Sequence, residues 1–133
     1  MKDLPLGMAL QAELERIAAD YPPVEAELAV DGHLRLRATV RGVRVLLVVD
    51  PEEHPRRPPE VSVLHRRFVH PLVSPDGRVT GLSCLSAWNR TLGLGTVLAE
   101  LERAFIEEPP VVNPDPWRLV RQVVEKVVAK VLS

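Results

Sequence analysis

The spacing of hydrophobic side chains predicts a helix at the start of the chain and strands after it. Over residues 6–20, hydrophobic side chains return every three or four positions, which is the period of an amphipathic helix. These side chains are Leu6, Leu10, Leu14 and Ile17. Consecutive prolines at positions 22 and 23 end this pattern. From Val24 onward polar and apolar residues alternate, which indicates strands.

Four strands are predicted after this helix. Asp31-Gly32 and Arg41-Gly42 are turn sequences that separate the first three strands. The second strand, residues 33–40, has the most regular alternation. The third, residues 43–49, is almost wholly apolar, so we expect it at the centre of the sheet. Residues 61–65 supply a fourth strand after a proline-rich connection.

The second half of the chain has no strand alternation. Residues 66–91 show no regular period, and an irregular stretch of this length is usually functional. Helical spacing returns over residues 92–106 and again over residues 116–131. Because strands and helices are segregated, we predict an α+β fold with a four-stranded antiparallel meander sheet. The N-terminal helix, the sheet, the irregular stretch and two C-terminal helices form a single domain over residues 1–133.

The composition of the chain mainly excludes certain binding functions and structural features. The chain has 133 residues, of which 46% are hydrophobic and 26% charged, as in ordinary globular domains. Its net charge is −1, so no basic excess indicates nucleic-acid or membrane binding. Cys84 is the only cysteine, which excludes an intrachain disulfide. No leader segment is recognisable, and we expect a cytoplasmic protein. The histidines lack metal-ligand spacing, so we expect no metal site and no cofactor.

Two motifs carry a family resemblance. The first covers residues 51–61, where the sequence PEEHPRRPPEV has prolines at positions 51, 55, 58 and 59. The second joins His70-Pro71-Leu72 to Gly77-Arg78-Val79 and then to Trp88. Both resemble motifs of the ubiquitin-conjugating enzymes without a gap: F-P-x-x-Y-P-x-x-P-P-x-V, then H-P-N, G-x-[IV]-C and Trp. The resemblance implies the fold of that family for most of the chain, with His70 in a structural role.

The chain departs from the family at its two chemical positions. In the gapless register the catalytic cysteine falls at Thr80, and the asparagine of H-P-N falls at Leu72. The family's transfer chemistry needs a thiolate that accepts and releases the modifier, and an amide that supports the oxyanion. The sequence is therefore similar to the catalytically inactive ubiquitin-conjugating enzyme variants. That similarity implies a non-catalytic binding module for a ubiquitin-like protein, a peptide or a conjugating-enzyme partner.

A second register keeps the enzyme alternative open. Gly81-Leu82-Ser83-Cys84-Leu85 also resembles the family's cysteine motif if the preceding loop carries extra residues. Cys84 would then hold a ubiquitin-like modifier as a thioester, and its thiol should be exposed with a pKa lowered by His70 or Arg90. In the gapless register Cys84 is instead a small buried side chain. A related interaction fold, the RWD domain, is a third alternative.

The predicted sheet offers a binding surface. Four basic side chains are expected on one solvent face: His33, Arg35, Arg37 and Arg44. In the family this face can hold ubiquitin without a covalent bond, and alternate arginines suit an acidic partner. An ordinary solvated strand face would show the same pattern. Glu13, Glu15 and Asp20 make the first helix acidic, unlike the basic helix with which family members dock the activating enzyme.

Overall fold

The computed structural model describes residues 7–65, 68–89 and 91–111. Its elements are α1 (Met8–Asp20), β1 (Glu25–Leu28), β2 (Leu34–Val40), β3 (Val43–Val49), β4 (Glu60–Val63), α2 (Ser83–Ser86) and α3 (Leu94–Glu107). The predicted α+β class and its order of helix, sheet and helix are confirmed. The helix predicted over residues 116–131, and Arg90, lie outside the described residues.

The sheet is an antiparallel meander in the order β1-β2-β3-β4. Both predicted turn sequences join neighbouring strands. Gly32 and Gly42 have φ angles of +84° and +80°, which L side chains adopt only with strain. Arg41 also has a positive φ of 48°. Two consecutive residues with positive φ form the tight hairpin between β2 and β3 that matches strand twist.

One face of the sheet and one stripe of each long helix form the core. The sheet contributes Leu34, Leu36, Ala38 and Val40 from β2 and Val43, Val45, Leu47 and Val49 from β3. The helices contribute Leu10, Leu14 and Ile17 from α1 and Leu94, Val97, Leu98, Leu101 and Phe105 from α3. Strict alternation in β2 and β3 leaves every second side chain on the other face, which we call the outer sheet face. Its members are Glu25, Glu27, Arg35, Arg37, Thr39, Arg44, Leu46, Val48, Glu60 and Ser62.

The stretch predicted to be irregular is held by short pieces of regular structure. Residues 77–79 run alongside β4: the Val63 N–H donates to the Gly77 carbonyl at 2.7 Å, and the Val79 N–H donates to the Val61 carbonyl at 2.9 Å. Further along, α2 is one turn long, too short for a hydrophobic period to reveal it. The fourth strand ends at Val63, two residues earlier than predicted.

Candidate functional site

His70 anchors the loop that carries the family motif. Its side chain is buried, and its Nδ1 accepts the Leu72 N–H at 3.1 Å. Its ring meets the Phe105 ring edge to face, with centroids 5.2 Å apart. A neutral ring that accepts at Nδ1 carries its proton at Nε2. The arrangement fixes the loop backbone against α3.

Leu72 and Thr80, which the gapless register assigns to the amide and thiol positions, lie side by side. The Thr80 N–H donates to the Leu72 carbonyl at 2.9 Å, and Val73, which follows Leu72, forms an antiparallel β-bridge with Val79, which precedes Thr80. The Thr80 side chain is exposed. The Leu72 side chain covers Gly81 so closely that a Cβ at position 81 would collide with it. Thr80 supplies a hydroxyl here and Leu72 an isobutyl group, and neither group can carry out transthiolation.

Cys84 is in the first turn of α2 and is 8% exposed. A carboxylate from α3 caps this turn. Glu100 accepts the Ser83 N–H at 2.8 Å and the Cys84 N–H at 3.0 Å, and the Ser83 hydroxyl donates to it at 2.5 Å. The N-cap residue of α2, Leu82, has no side-chain acceptor of its own. Glu100 therefore satisfies backbone donors that the local sequence leaves unpaired.

The Glu100 carboxylate also affects the pKa of the Cys84 thiol. Burial raises the pKa of Cys84 to about 12, and the hydrogen bond and the negative charge of Glu100 act in the same direction. Burial alone would also raise the pKa of Glu100, but hydrogen bonds from Cys84 and Ser83 hold that pKa below its usual value. At pH 7 a thiol with this pKa is almost entirely protonated. The catalytic alternative expects the opposite: an exposed thiol with a lowered pKa.

Trp88 links the two family motifs. Its indole Nε1–H donates to the Pro55 carbonyl at 2.7 Å, and its ring centroid lies 6.4 Å from that of His54. Pro71, the middle residue of the His70-Pro71-Leu72 motif, is exposed in the turn before Leu72. The structure therefore brings the proline segment and the end of the irregular stretch together, although 33 residues separate Pro55 from Trp88.

Sequence reasoning missed a second structural carboxylate, Glu13 of α1. Its Oε2 lies 2.8 Å from Nε2 of His54, whose side chain is only 4% exposed. Its Oε1 accepts the Leu94 N–H, at the start of α3, at 2.9 Å. A Cβ at Gly93 would lie 2.6 Å from that oxygen, so glycine makes room for the contact. The only signal in the sequence was that His54 replaces the family's tyrosine.

Glu13 also has a shifted pKa. Burial desolvates the carboxyl and would raise its pKa, but the hydrogen bonds from His54 and the Leu94 N–H, with the charges of His54 and Arg16, lower the pKa below its usual value. The carboxylate form is therefore the one that the fold stabilises. The Glu13 carboxylate therefore connects α1 both to the proline-rich segment, residues 51–61, and to the start of α3.

The outer sheet face brings Arg35, Arg37 and Arg44 together, with His33 just before β2, as predicted. Most of these groups already have partners. Arg37 pairs with Glu27 at 3.3 Å, and the His33 ring lies 3.4 Å from Asp31.

Arg44 is held most firmly. Its Nη1 donates to the Pro23 carbonyl at 2.6 Å and to the Thr39 hydroxyl at 2.9 Å, and its guanidinium lies 3.9 Å from Glu25. Arg35 is exposed and forms no ion pair with another residue in the described ranges. Of the four predicted basic residues, Arg35 is therefore the one whose charge is available to a partner.

Two further expectations concern metals and membranes. Among residues 7–65, 68–89 and 91–111, no group of three or more His, Cys, Asp or Glu side chains is placed to hold a metal ion. Within the same part of the chain, every helix is too short or too polar to cross a bilayer.

Comparison with known proteins bears on the fold. No protein-family model matches the chain. Mouse "Ubiquitin-conjugating enzyme E2 T" is 29% identical over 119 residues, an alignment that covers 76% of this chain and 56% of that protein. A Plasmodium yoelii protein assigned to the ubiquitin conjugating enzymes superposes with a TM-score of 0.57 at 17% identity, covering 82% of this chain and 77% of that one. The E2 domain of a Toxoplasma gondii ubiquitin conjugating enzyme gives 0.55 at 22% identity, covering 81% and 77%.

The chain has the fold of the ubiquitin-conjugating enzyme superfamily. The resemblance predicted from the two proline-containing motifs is thereby confirmed. The chain spans little more than half the length of the mouse relative.

Proposed function

We propose that the chain is a non-catalytic module of the ubiquitin-conjugating enzyme superfamily that binds a ubiquitin-like protein or another protein of the conjugation pathway. The environment of Cys84 carries this proposal. Its thiol is buried beside the Glu100 carboxylate, and burial first, then that carboxylate, raises its pKa to about 12. Thioester transfer requires a thiolate that attacks and later leaves, and this site disfavours the thiolate.

The positions of Thr80 and Leu72 support the proposal independently. They are adjacent in space, since the Thr80 N–H donates to the Leu72 carbonyl, and the gapless register assigns them to the family's two chemical positions. Threonine would form an oxygen ester rather than a thioester, and leucine has no hydrogen-bond donor for an oxyanion. The alternative, in which Cys84 carries the modifier, must also do without the amide at position 72.

The outer sheet face is the proposed binding surface. Leu46 and Val48 are half-buried at its centre, and the exposed guanidinium of Arg35 lies beside Val48 in the neighbouring strand. An apolar centre with a free cation at its border suits a partner surface that carries a carboxylate next to an apolar patch. Arg37 serves the fold through Glu27 and contributes less charge to a partner.

Thiol titration tests the proposal directly. Cys84 is the only cysteine, so the signal of an Ellman-type reagent has one source. We expect the native protein to be almost unreactive at pH 8, and the denatured protein to react at the rate of an ordinary cysteine. A fast native reaction with an apparent pKa below 8.5 would overturn the proposed environment.

Glu100→Gln tests the cause of the shift. The neutral amide removes the negative charge, so the pKa of Cys84 should fall but remain above that of an ordinary cysteine, because burial is the larger cause. The rate of thiol modification against pH measures this change. An unaltered pH profile of thiol modification in Glu100→Gln would show that the carboxylate does not contribute to the raised pKa of Cys84.

A charging assay separates the two functions. The protein is incubated with activating enzyme, ATP and ubiquitin, with Cys84→Ala as the matched variant. The binding proposal expects no adduct on either protein. A thiol-sensitive adduct on the unaltered protein that is absent from Cys84→Ala would refute it and establish the enzyme alternative.

A further inference from the structure

The two edge strands of the sheet, β1 and β4, differ in whether their outer side is covered. The outer edge of β4 is covered, because residues 77–79 run along it and exchange backbone hydrogen bonds with Val61 and Val63. At the opposite edge, β1 pairs only with β2 within the described residues. An exposed edge strand presents unpaired N–H and C=O groups that can pair with another chain.

The register identifies the groups that face outward. The Ala29 N–H donates to the His33 carbonyl at 2.9 Å, and Glu27 and Glu25 lie two and four residues before Ala29 in the same ladder. Since antiparallel partners alternate between bonded and non-bonded pairs, the backbone groups of Glu25 and Glu27 point toward β2. The N–H and C=O groups of Ala26 and Leu28 therefore point to the open edge.

The two exposed side chains of β1 itself are both acidic, although arginines of the neighbouring strands lie next to them. Glu25 and Glu27 stand on the outer sheet face of β1, with side chains 68% and 57% exposed. Their ion pairs with Arg44 and Arg37 are at the surface, where such pairs contribute little. Pairing of β1 with a second copy of itself would set these carboxylates against each other, which is unfavourable. A strand with lysine or arginine at alternate positions would meet them favourably.

We propose that the open edge of β1 binds an extended segment of a partner protein as an added strand. The segment alternates basic and apolar residues. Its basic side chains lie beside Glu25 and Glu27, and its apolar side chains lie beside Ala26 and Leu28, which pack on the core. This site is distinct from the centre of the outer sheet face, so it extends the proposed function without depending on it.

Hydrogen exchange on the full chain tests whether the edge is open. The amides of Ala26 and Leu28 should exchange within the dead time of the measurement, while those of Arg35 and Arg37, which face β1, should be protected. Protection of Ala26 and Leu28 in the free protein would mean that another part of the chain covers the edge, and would overturn the proposal.

Peptide titration followed by amide NMR shifts tests the ligand. The probes are a short capped peptide that alternates lysine and valine, and its matched peptide with glutamate for lysine. The lysine peptide should shift the Ala26 and Leu28 amides and bind about three- to tenfold more tightly than the glutamate peptide. The double variant Glu25→Lys with Glu27→Lys should reverse this preference. No shift at these amides at millimolar peptide, or equal binding of both peptides, would refute the proposal.

A backbone variant tests the mode of binding. Ala26→Pro removes an outward N–H without removing a bond to β2, and proline is tolerated at such edge positions. It should abolish binding of the lysine peptide, whereas Ala26→Val, which keeps the N–H, should bind within about twofold of the unaltered protein. Thermal unfolding checks that both variants are folded. Undiminished binding by folded Ala26→Pro would exclude strand addition.

Discussion

Replacing Glu13 with alanine should destabilise the protein strongly for a change of a partly exposed charge. The carboxylate of Glu13 pairs with His54 at 2.8 Å and accepts the Leu94 N–H at 2.9 Å. Alanine leaves two buried groups without their partner: the His54 ring and the first N–H of α3. Hydrogen bonds to charged groups contribute about 1.5–3 kcal/mol each.

The expected loss follows from these two bonds. Their sum is about 3–6 kcal/mol, and breaking a buried pair typically costs about 3–5 kcal/mol. Because the Glu13 side chain is 26% exposed, we expect the lower end of this range, about 3 kcal/mol. Urea unfolding at pH 7 measures it. Glu15→Ala is the matched control on the exposed side of the same helix, and should change stability by about 0.5 kcal/mol or less.

The effect should depend on pH with a definite sign. The pKa of Glu13 is lowered in the folded protein, so its contribution is complete above the unfolded value of 4.5. It is lost as the pH falls through the folded value. The stability difference between the unaltered protein and Glu13→Gln should therefore be larger above pH 4.5 than below it, and it should shrink as the pH falls through the lowered pKa of Glu13. A loss below about 1 kcal/mol for Glu13→Ala at pH 7, or a difference that grows in acid, would refute the reasoning.

Two further predictions use matched pairs of variants. If the outer sheet face binds a partner, Arg35→Ala should weaken the association of ubiquitin about threefold or more by NMR titration, while Arg37→Ala should have a smaller effect because that guanidinium is already paired. Equal effects of Arg35→Ala and Arg37→Ala would contradict the assignment of Arg35 as the charge available to a partner. Gly81→Ala should cost about 1 kcal/mol in urea unfolding, because its Cβ would meet the end of the half-buried Leu72 side chain, which must move aside. Gly95→Ala, which meets open space on α3, should stabilise by about 0.5–1 kcal/mol.

The elements that the sequence predicted well are those with a local period. The strands over residues 34–40 and 43–49 and the helix over residues 94–107 appear within two residues of their predicted bounds. Alternation placed Arg35 and Arg37 on one face. It could not give their ion pairs: Glu27 lies opposite Arg35 in the ladder, yet it pairs diagonally with Arg37. Long side chains reach diagonal neighbours, and nothing in the local pattern selects between them.

The contacts that decide the site connect distant positions. Glu13 and Leu94 are 81 residues apart, and Glu100 caps a turn 16 and 17 residues before it. On a helix, a glutamate that caps another element has the same spacing as one that faces water. The burial of Cys84 likewise depends on how the loop before it folds. Both registers are therefore compatible with the sequence. They predict different environments for the Cys84 thiol, and that environment depends on the position of Glu100 in the tertiary structure.

At Glu100 the stability of α2 and the chemistry of a thioester would make opposite demands. The short helix needs an acceptor for its first N–H groups, and the carboxylate supplies it from α3. A nucleophilic Cys84 needs a positive or neutral neighbour that stabilises the thiolate. One side chain cannot meet both demands, because moving the charge away from the thiol also removes the cap from the helix. In this chain Glu100 caps the short helix and so holds the loop that carries Cys84.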